Sequence, residues 1–318
     1  MPSKLDQLKT MTTVVADTGD MDAIRRFGVI DATTNPTLIL KAARMRNYAQ
    51  LLEEAVLWGV SHHRSTSAVA DHLILKFGVE LSKMVPGRIS TEVDADLSFD
   101  IEGTVSKARE IIAGYKKLGV GRKRVLIKIA STWEGIRAAE ILQSEGIDCN
   151  ITLMFSLTQA AACADAGVYL VSPFVGRILD WHVKNEGKSY TSETDPGVLS
   201  VRRIYNYYKA HGIETEVMGA SFRNKGEIEA LAGCDRLTIS PQLLDELAQD
   251  MGELPRRLDA KHSAAHAPAK LSLDEKTFRF MLNEDAMASE KLGEGIRVFA
   301  QDLHALRELV SKRLQEAA

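Results

Sequence analysis

The sequence predicts an α/β fold: a single (β/α)8 TIM barrel over residues 1–318, with additional helices and a long C-terminal helix. Three observations predict it. Short apolar runs rich in branched residues alternate with helical patterns eight times along the chain. Polar and ionisable residues recur at the C-terminal ends of those runs, where such a barrel gathers its active site. No composition break, low-complexity tract or repeat beyond the βα rhythm marks a domain boundary. The competing architecture is an open doubly wound sheet.

The elements follow in order. Leu5–Met11 is a short amphipathic helix. Thr12–Ala16 is the first strand, ending at Asp17, and a helix follows through Arg26. Asp31–Thr34 is the second strand; it stops at Asn35-Pro36, an N-cap before a proline at the first helical position. Helical patterns cover Tyr48–Val60 and Ala68–Met84. Ile89–Asp94 is the third strand and carries Glu92. Ile101–Leu118 is helical. Arg124–Thr132 holds the fourth strand, with Lys128 inside an apolar run. Ser131-Thr132-Trp133-Glu134 matches a capping box, so a helix starts there and runs to Glu145. Cys149–Met154 is the fifth strand, Leu157–Ala166 a helix and Val168–Pro173 the sixth strand. The polar stretch 184–196 is an exposed excursion. Val198–His211 is helix, Glu216–Ser221 the seventh strand, Lys225–Ala232 helix and Arg236–Ser240 the eighth strand. Pro241–Gln249 is helix and Pro255–Lys270 a loop. From Asp285 to Gln315 one long helix carries an apolar stripe, Leu292, Ile296, Phe299, Leu303, Leu306 and Val310, expected only to pack on the barrel.

Composition removes several function classes. A net charge of -3 over 318 residues offers no basic field for nucleic acid or an anionic membrane. Met1–Lys9 is polar, unlike a signal peptide, and no apolar run is long enough to span a membrane. Cys149, Cys163 and Cys234 are odd in number and scattered, which fits reduced thiols in a cytoplasmic protein.

Lys128 is the residue that does not belong in its strand, because burying an ammonium is unfavourable. It could simply snorkel to water. It could also be an amine nucleophile, since burial favours the neutral form that attacks a carbonyl. The other strand ends bear on the choice: Asp17, Asn35, Glu92, Asn150, Thr152, Ser172, Arg177, Ser221 and Arg223 all fall at or just after them. Each has a structural alternative, such as a cap for Asp17 and Asn35 or a surface charge for the arginines. Together they converge on one mouth. Asp17 and Glu92 come from different strands, so their environments can separate an acid from a base. Arg177 and Arg223 follow the sixth and seventh strands, near where barrels often bind phosphate, and a guanidinium fork matches phosphate geometry. The set suggests an imine-forming lysine acting on a phosphorylated carbonyl substrate without a metal.

The motifs also resemble a known family. Thr12-Thr13-Val14-Val15-Ala16-Asp17-Thr18-Gly19, Asp31-Ala32-Thr33-Thr34-Asn35-Pro36 and Gly87-Arg88-Ile89-Ser90-Thr91-Glu92-Val93-Asp94 carry the likeness in the first part of the chain. Ile127-Lys128-Ile129-Ala130-Ser131-Thr132-Trp133, Cys149-Asn150-Ile151-Thr152-Leu153, Ser172-Pro173-Phe174-Val175-Gly176-Arg177 and Met218-Gly219-Ala220-Ser221-Phe222-Arg223 continue it. Asp285–Ala288 and Lys291–Arg297 extend it into the tail, while 184–194 and 256–269 stand outside it. The chain is similar to the transaldolases of the class I aldolase superfamily. The resemblance implies transfer of a dihydroxyacetone unit from sedoheptulose 7-phosphate to glyceraldehyde 3-phosphate, in the non-oxidative pentose phosphate pathway. It implies a cytoplasmic homodimer that needs no cofactor. By matching motif, Lys128 would form the Schiff base, Glu92 would act through a water and Asp17 would take the C4 hydroxyl proton. Asn35, Asn150, Thr152 and Ser172 would position hydroxyls and water, and Arg177, Ser221 and Arg223 would hold phosphate. In the related fructose-6-phosphate aldolase branch the aromatic is typically Tyr and the acid typically Gln; Phe174 and Glu92 here point to transfer.

Other motifs carry less. Gly119-Val120-Gly121 lacks the third glycine of a dinucleotide loop and precedes a strand. His262 and His266 have i, i+4 spacing but no adjoining Glu, so no metal is expected, and His62-His63 reads as solvated. No G-x-S-x-G is present. Two further readings stay open on the residues alone: a phosphosugar isomerase with Glu92 as base, and a sugar-phosphate-binding barrel without catalysis.

Overall fold

The computed structural model describes residues 2–317; Met1 and Ala318, the ends of the expected domain, lie outside the described residues. Eight strands run β1 Thr13–Asp17, β2 Asp31–Thr33, β3 Ile89–Glu92, β4 Val125–Ala130, β5 Cys149–Met154, β6 Leu170–Pro173, β7 Glu216–Gly219 and β8 Arg236–Ile239. All neighbouring pairs are parallel, and they close in chain order. The pairing that separates a barrel from an open sheet is β1 with β8, from Thr13↔Arg236 to Ala16↔Ile239.

Side-chain alternation along these strands sets what lies inside. Val15, Leu126, Leu170 and Met218 form an apolar layer within the barrel. Two residues further along three of those strands come Asp17, Lys128 and Ser172, one layer nearer the C-terminal mouth. At the opposite end Arg236 is ion-paired to Asp31 and Glu216, which closes the barrel floor. Outward-facing residues such as Val14, Ile127, Ile129 and Ile151 are fully buried against the surrounding helices.

Three sequence expectations are corrected. The helix after β4 is Trp133–Ser144, and its cap is Thr132, whose Oγ1 accepts the Gly135 N–H at 2.9 Å. The Ser131–Glu134 capping box does not form, because Ser131 Oγ donates to the Leu153 carbonyl at 2.8 Å and Glu134 is ion-paired with Arg279. The excursion expected over 184–196 starts later, since a helix Gly176–Glu186 leads into it directly from the mouth. Part of the expected loop 255–270 is a 3-10 turn, Ala260–Ala265, and a helix at Glu275–Glu284 was not anticipated.

The C-terminal helix, Ala286–Ala317, does more than pack on the barrel wall. Leu306 and Val310 join the main core. Ala288, Leu292, Ile296 and Phe299 instead pack with Leu153, Phe155, Phe174 and Ile178 at the barrel mouth. At about 1.5–3 kcal/mol for each fully buried large side chain, Leu292, Ile296 and Phe299 contribute roughly 5–9 kcal/mol before conformational entropy is counted. Gly295 allows this approach: a Cβ there would stand 2.6 Å from Leu153 Cδ2 and 3.2 Å from Arg177 Nη1. No helix among the described residues is long and apolar enough to cross a membrane.

Candidate active site

Register places the central residues side by side. Glu92 of β3 is paired with Lys128 of β4, and Lys128 with Asn150 of β5. Lys128 is only 4% exposed, so its ammonium does not snorkel to water. Its Nζ donates to the Thr34 carbonyl at 3.2 Å and stands 3.6 Å from Glu92 Oε2. That separation is an ion pair without a direct hydrogen bond, and Glu92 Oε2 is buried with no donor among the described residues. The Glu92 side chain is 5% exposed. Burial pushes its carboxyl up to about 7, and the nearby Lys128 charge only partly opposes this. A carboxyl poised there can give or take a proton at neutral pH.

Asp17 ends β1. Burial raises its pKa, opposed by the Lys128 charge and then by a hydrogen bond from Thr33. Thr33 Oγ1 donates to Asp17 Oδ1 at 3.0 Å and lies 2.6 Å from Thr238 Oγ1, which supplies the second hydrogen of that short chain. The two acids therefore sit in different polar settings: Glu92 has an orphaned oxygen beside the Lys128 charge, while Asp17 is held by a hydroxyl.

On the other flank of Lys128, Ser172 Oγ donates to Asn150 Oδ1 at 2.5 Å, and Asn150 Nδ2 donates to Ser90 Oγ at 3.1 Å. Asn150 is thereby fixed in one amide orientation. Thr152 is fully buried and its Oγ1 has no partner among the described residues. Just past it the β5–β6 register shifts, and Leu153 takes a left-handed φ of 53°. Gln159 secures this turn. Its Oε1 accepts the Phe155 and Ser156 N–H groups at 2.8 and 3.0 Å, and its Nε2 donates to Ser131 Oγ at 2.8 Å.

Asp17, Asn35, Lys128, Ser172, Phe174, Arg177 and Ser221 line one cavity of about 90 Å³. Asn35 is both cap and wall: its Oδ1 accepts the Leu38 N–H at 2.9 Å, and its amide nitrogen stays free of that bond. Arg177 lies over the Phe174 ring at 4.9 Å and the Phe299 ring at 5.4 Å. Burial lowers its pKa first and the neighbouring Arg223 charge second, so this guanidinium favours an incoming anion. Arg223 is the residue least like its expectation. It stands at the rim, its side chain 40% exposed and forked onto Asp180, with Nη2 2.7 Å from Oδ2. Ser221, between the two arginines, has φ 61°, a left-handed conformation that costs a non-glycine residue energy. A larger groove of about 610 Å³ beside Arg202, Arg257 and His262 lies elsewhere on the surface, but the buried acid, amine and amide groups do not converge there.

Comparison with known proteins shows the family. The family described as Transaldolase/Fructose-6-phosphate aldolase matches residues 14–310. The chain belongs to that family. A protein named Transaldolase from Rhizobium etli (strain CIAT 652) is 64% identical over 322 aligned residues, covering 100% of both chains. Proteins of the same name from Agrobacterium fabrum and Cellvibrio japonicus are 62% and 61% identical. They cover 100% and 99% of this chain and 100% of their own lengths.

Several residues of this family member's site escaped the sequence reading: Thr33, Thr238, Ser90, Gln159 and Phe299. A signal existed for the first three. With Asp17, Asn35 and Glu92 placed inward, a period of two also turns Thr33 and Ser90 inward, and Thr238 follows from Arg236. Phe299 gave no such signal, because its stripe reads as ordinary core.

Proposed function

We propose that this chain is a transaldolase, a transferase that moves a dihydroxyacetone unit between sugar phosphates through a Schiff base on Lys128. Sedoheptulose 7-phosphate is the donor and glyceraldehyde 3-phosphate the acceptor; erythrose 4-phosphate and fructose 6-phosphate are the products. The observation that carries the reading is the buried Lys128 amine, 3.6 Å from a Glu92 carboxyl raised to about 7, facing the Asp17 side of one polar cavity.

The residues support each step. The Lys128 amine adds to the donor carbonyl, and the carbinolamine loses water as Glu92, through a water molecule, supplies the proton to the departing hydroxyl. Asp17 takes the C4 hydroxyl proton, the C3–C4 bond breaks, and its electron pair moves into the iminium to give an enamine. The shortened aldose leaves. The enamine attacks the incoming aldehyde, Asp17 returns its proton to the new alkoxide, and water then releases the ketose from Lys128. The imine is itself the electron sink, so the route calls for no metal or redox cofactor. Arg177, Ser221 and Arg223 form the phosphate end, and Asn35, Asn150, Thr152 and Ser172 orient substrate hydroxyls and water. Phe174, 5% exposed and edge-on to Phe155, presents hydrocarbon where a tyrosine would bring a proton. That favours transfer over protonation of the enamine, in line with the name of the relatives.

The same reading extends to residues 1–318 working as one barrel domain, and to a cytoplasmic homodimer in the pentose phosphate pathway. Borohydride reduction with fructose 6-phosphate tests the chemistry. The expected result is a covalent mass increase on the peptide containing Lys128, lost in Lys128→Ala together with transfer activity. An unmodified Lys128 peptide in an active enzyme refutes the imine, as an isomerase would show.

A further inference from the structure

A second pair of buried carboxyl groups lies outside the catalytic set. Asp195 is 2% exposed and Glu227 is fully buried. Asp195 stands at the N-cap of one helix and Glu227 in the first turn of another, and each helix end reaches one of the two phosphate-end turns. Asp195 caps Pro196–Ala210, its Oδ1 accepting the Gly197 and Val198 N–H groups at 2.7 and 3.2 Å. Gly197 is pressed on the turn before Arg177, where a Cβ would stand 2.1 Å from the Val175 carbonyl oxygen. Glu227 lies in Lys225–Ala230, capped by Asn224, and its Oε2 accepts the Arg223 backbone N–H at 2.7 Å. The two carboxyl groups are neighbours that perturb each other's titration, and Glu227 Oε1 is buried with no donor among the described residues. Two carboxylates are acceptors only, so this contact needs one O–H.

We propose that Asp195 and Glu227 share a proton that ties the Arg177 turn to the Arg223 turn, making Glu227 a positioning residue for phosphate binding. The inference rests on the assignment of Arg177, Ser221 and Arg223 to the phosphate. The turns are already joined by Val175 N–H to Ala220 O and Gly176 N–H to Ser221 O, both at 2.8 Å. The acid pair adds a link that the loss of a proton breaks. Burial, with Asp195 alongside, raises Glu227 to about 7. The titratable and charged groups that face the pair are Arg223 on the Glu227 side, with His182 and the neutral Tyr190 phenol on the Asp195 side. Arg223 and His182 are held by Asp180 and Glu186 respectively. Above the pair's titration two anions meet, and repulsion separates the turns that present Arg177 and Arg223.

The test is competitive inhibition of the full chain by inorganic phosphate at about pH 6 and about pH 8.5, either side of the ordinary range for such a pair. Wild type is compared with Glu227→Gln, which can still accept from Arg223 N–H and donate to Asp195 but has no proton to lose. Ionisation of phosphate itself affects both proteins equally and cancels. Wild type is expected to lose at least about fivefold more phosphate affinity across the range than the variant, the low end of coupling between linked sites. Asp195→Asn removes the other titrating group and should flatten the profile likewise, which keeps the test open should Glu227→Gln not fold. Superimposable pH profiles in a folded variant overturn the shared-proton tie. Phosphate that fails to compete in wild type at either pH overturns the phosphate assignment, and the tie falls with it.

Discussion

Thr33→Val removes one hydroxyl from the site and keeps the side-chain shape. In the structure that hydroxyl donates to Asp17 Oδ1 at 3.0 Å and accepts from Thr238. A hydrogen bond to a charged group contributes about 1.5–3 kcal/mol, and losing it leaves the Asp17 anion in a buried setting with less support. The proposed mechanism needs that anion as the base for the C4 hydroxyl. The expected fall in kcat/KM near neutral pH is therefore on the order of 10- to 100-fold. The pH dependence gives the sharper readout. A base is active above its pKa and fails as pH falls through it. Burial already raises Asp17, and losing the Thr33 bond raises it further, because that bond lowers it. The acid-side loss of activity should therefore move to higher pH in the variant. The Thr238 hydroxyl loses its acceptor too, so thermal unfolding must be followed in parallel to separate a loss of folded protein from a loss of activity. A folded Thr33→Val enzyme whose kcat/KM stays within about twofold of wild type, with an unmoved acid limb, would show that Thr33 does not support Asp17.

Glu92 yields a stability prediction of its own. Its carboxyl is raised from 4.5 to about 7 by burial, so the folded state holds its proton more tightly than the unfolded chain. Below about pH 4.5 both states are protonated and nothing is lost; stability falls as pH rises to about 7 and is level above. Relative to Glu92→Gln, wild type should lose on the order of 3 kcal/mol across that window, read from urea midpoints; a difference that ignores pH contradicts burial as the cause. Gly295→Ala should destabilise by about 1–3 kcal/mol, because its Cβ meets Leu153 and Arg177, less up to about 1 kcal/mol of gained helix propensity. It should also raise KM for phosphorylated substrates, since Arg177 must move; an unchanged KM and melting temperature would mean that the helix slides without touching the site.

What the sequence determined by itself was everything carried by short-range pattern. Alternating apolar runs and caps set the eight strands and most helices, and each strand end is one local address. Lys128 stood out as a charge in an apolar run, Asp17 and Glu92 as acids at strand ends, and the mouth of a barrel follows from strand direction alone. The helix Gly176–Glu186 escaped because Val175, at its N-cap, makes no side-chain capping bond. The helix Glu275–Glu284 buries only Phe278, so its apolar stripe was too thin to read. Tertiary structure decided which groups touch. Phe299 reaches Arg177 from more than a hundred residues away along the chain. Thr33 bridges β1 and β8, Arg223 turns aside to Asp180, and Asp195 meets Glu227 across two turns. Hydrogen bonds and desolvation depend on distances of a few ångströms between residues remote in sequence, and only the closed barrel brings those distances into being.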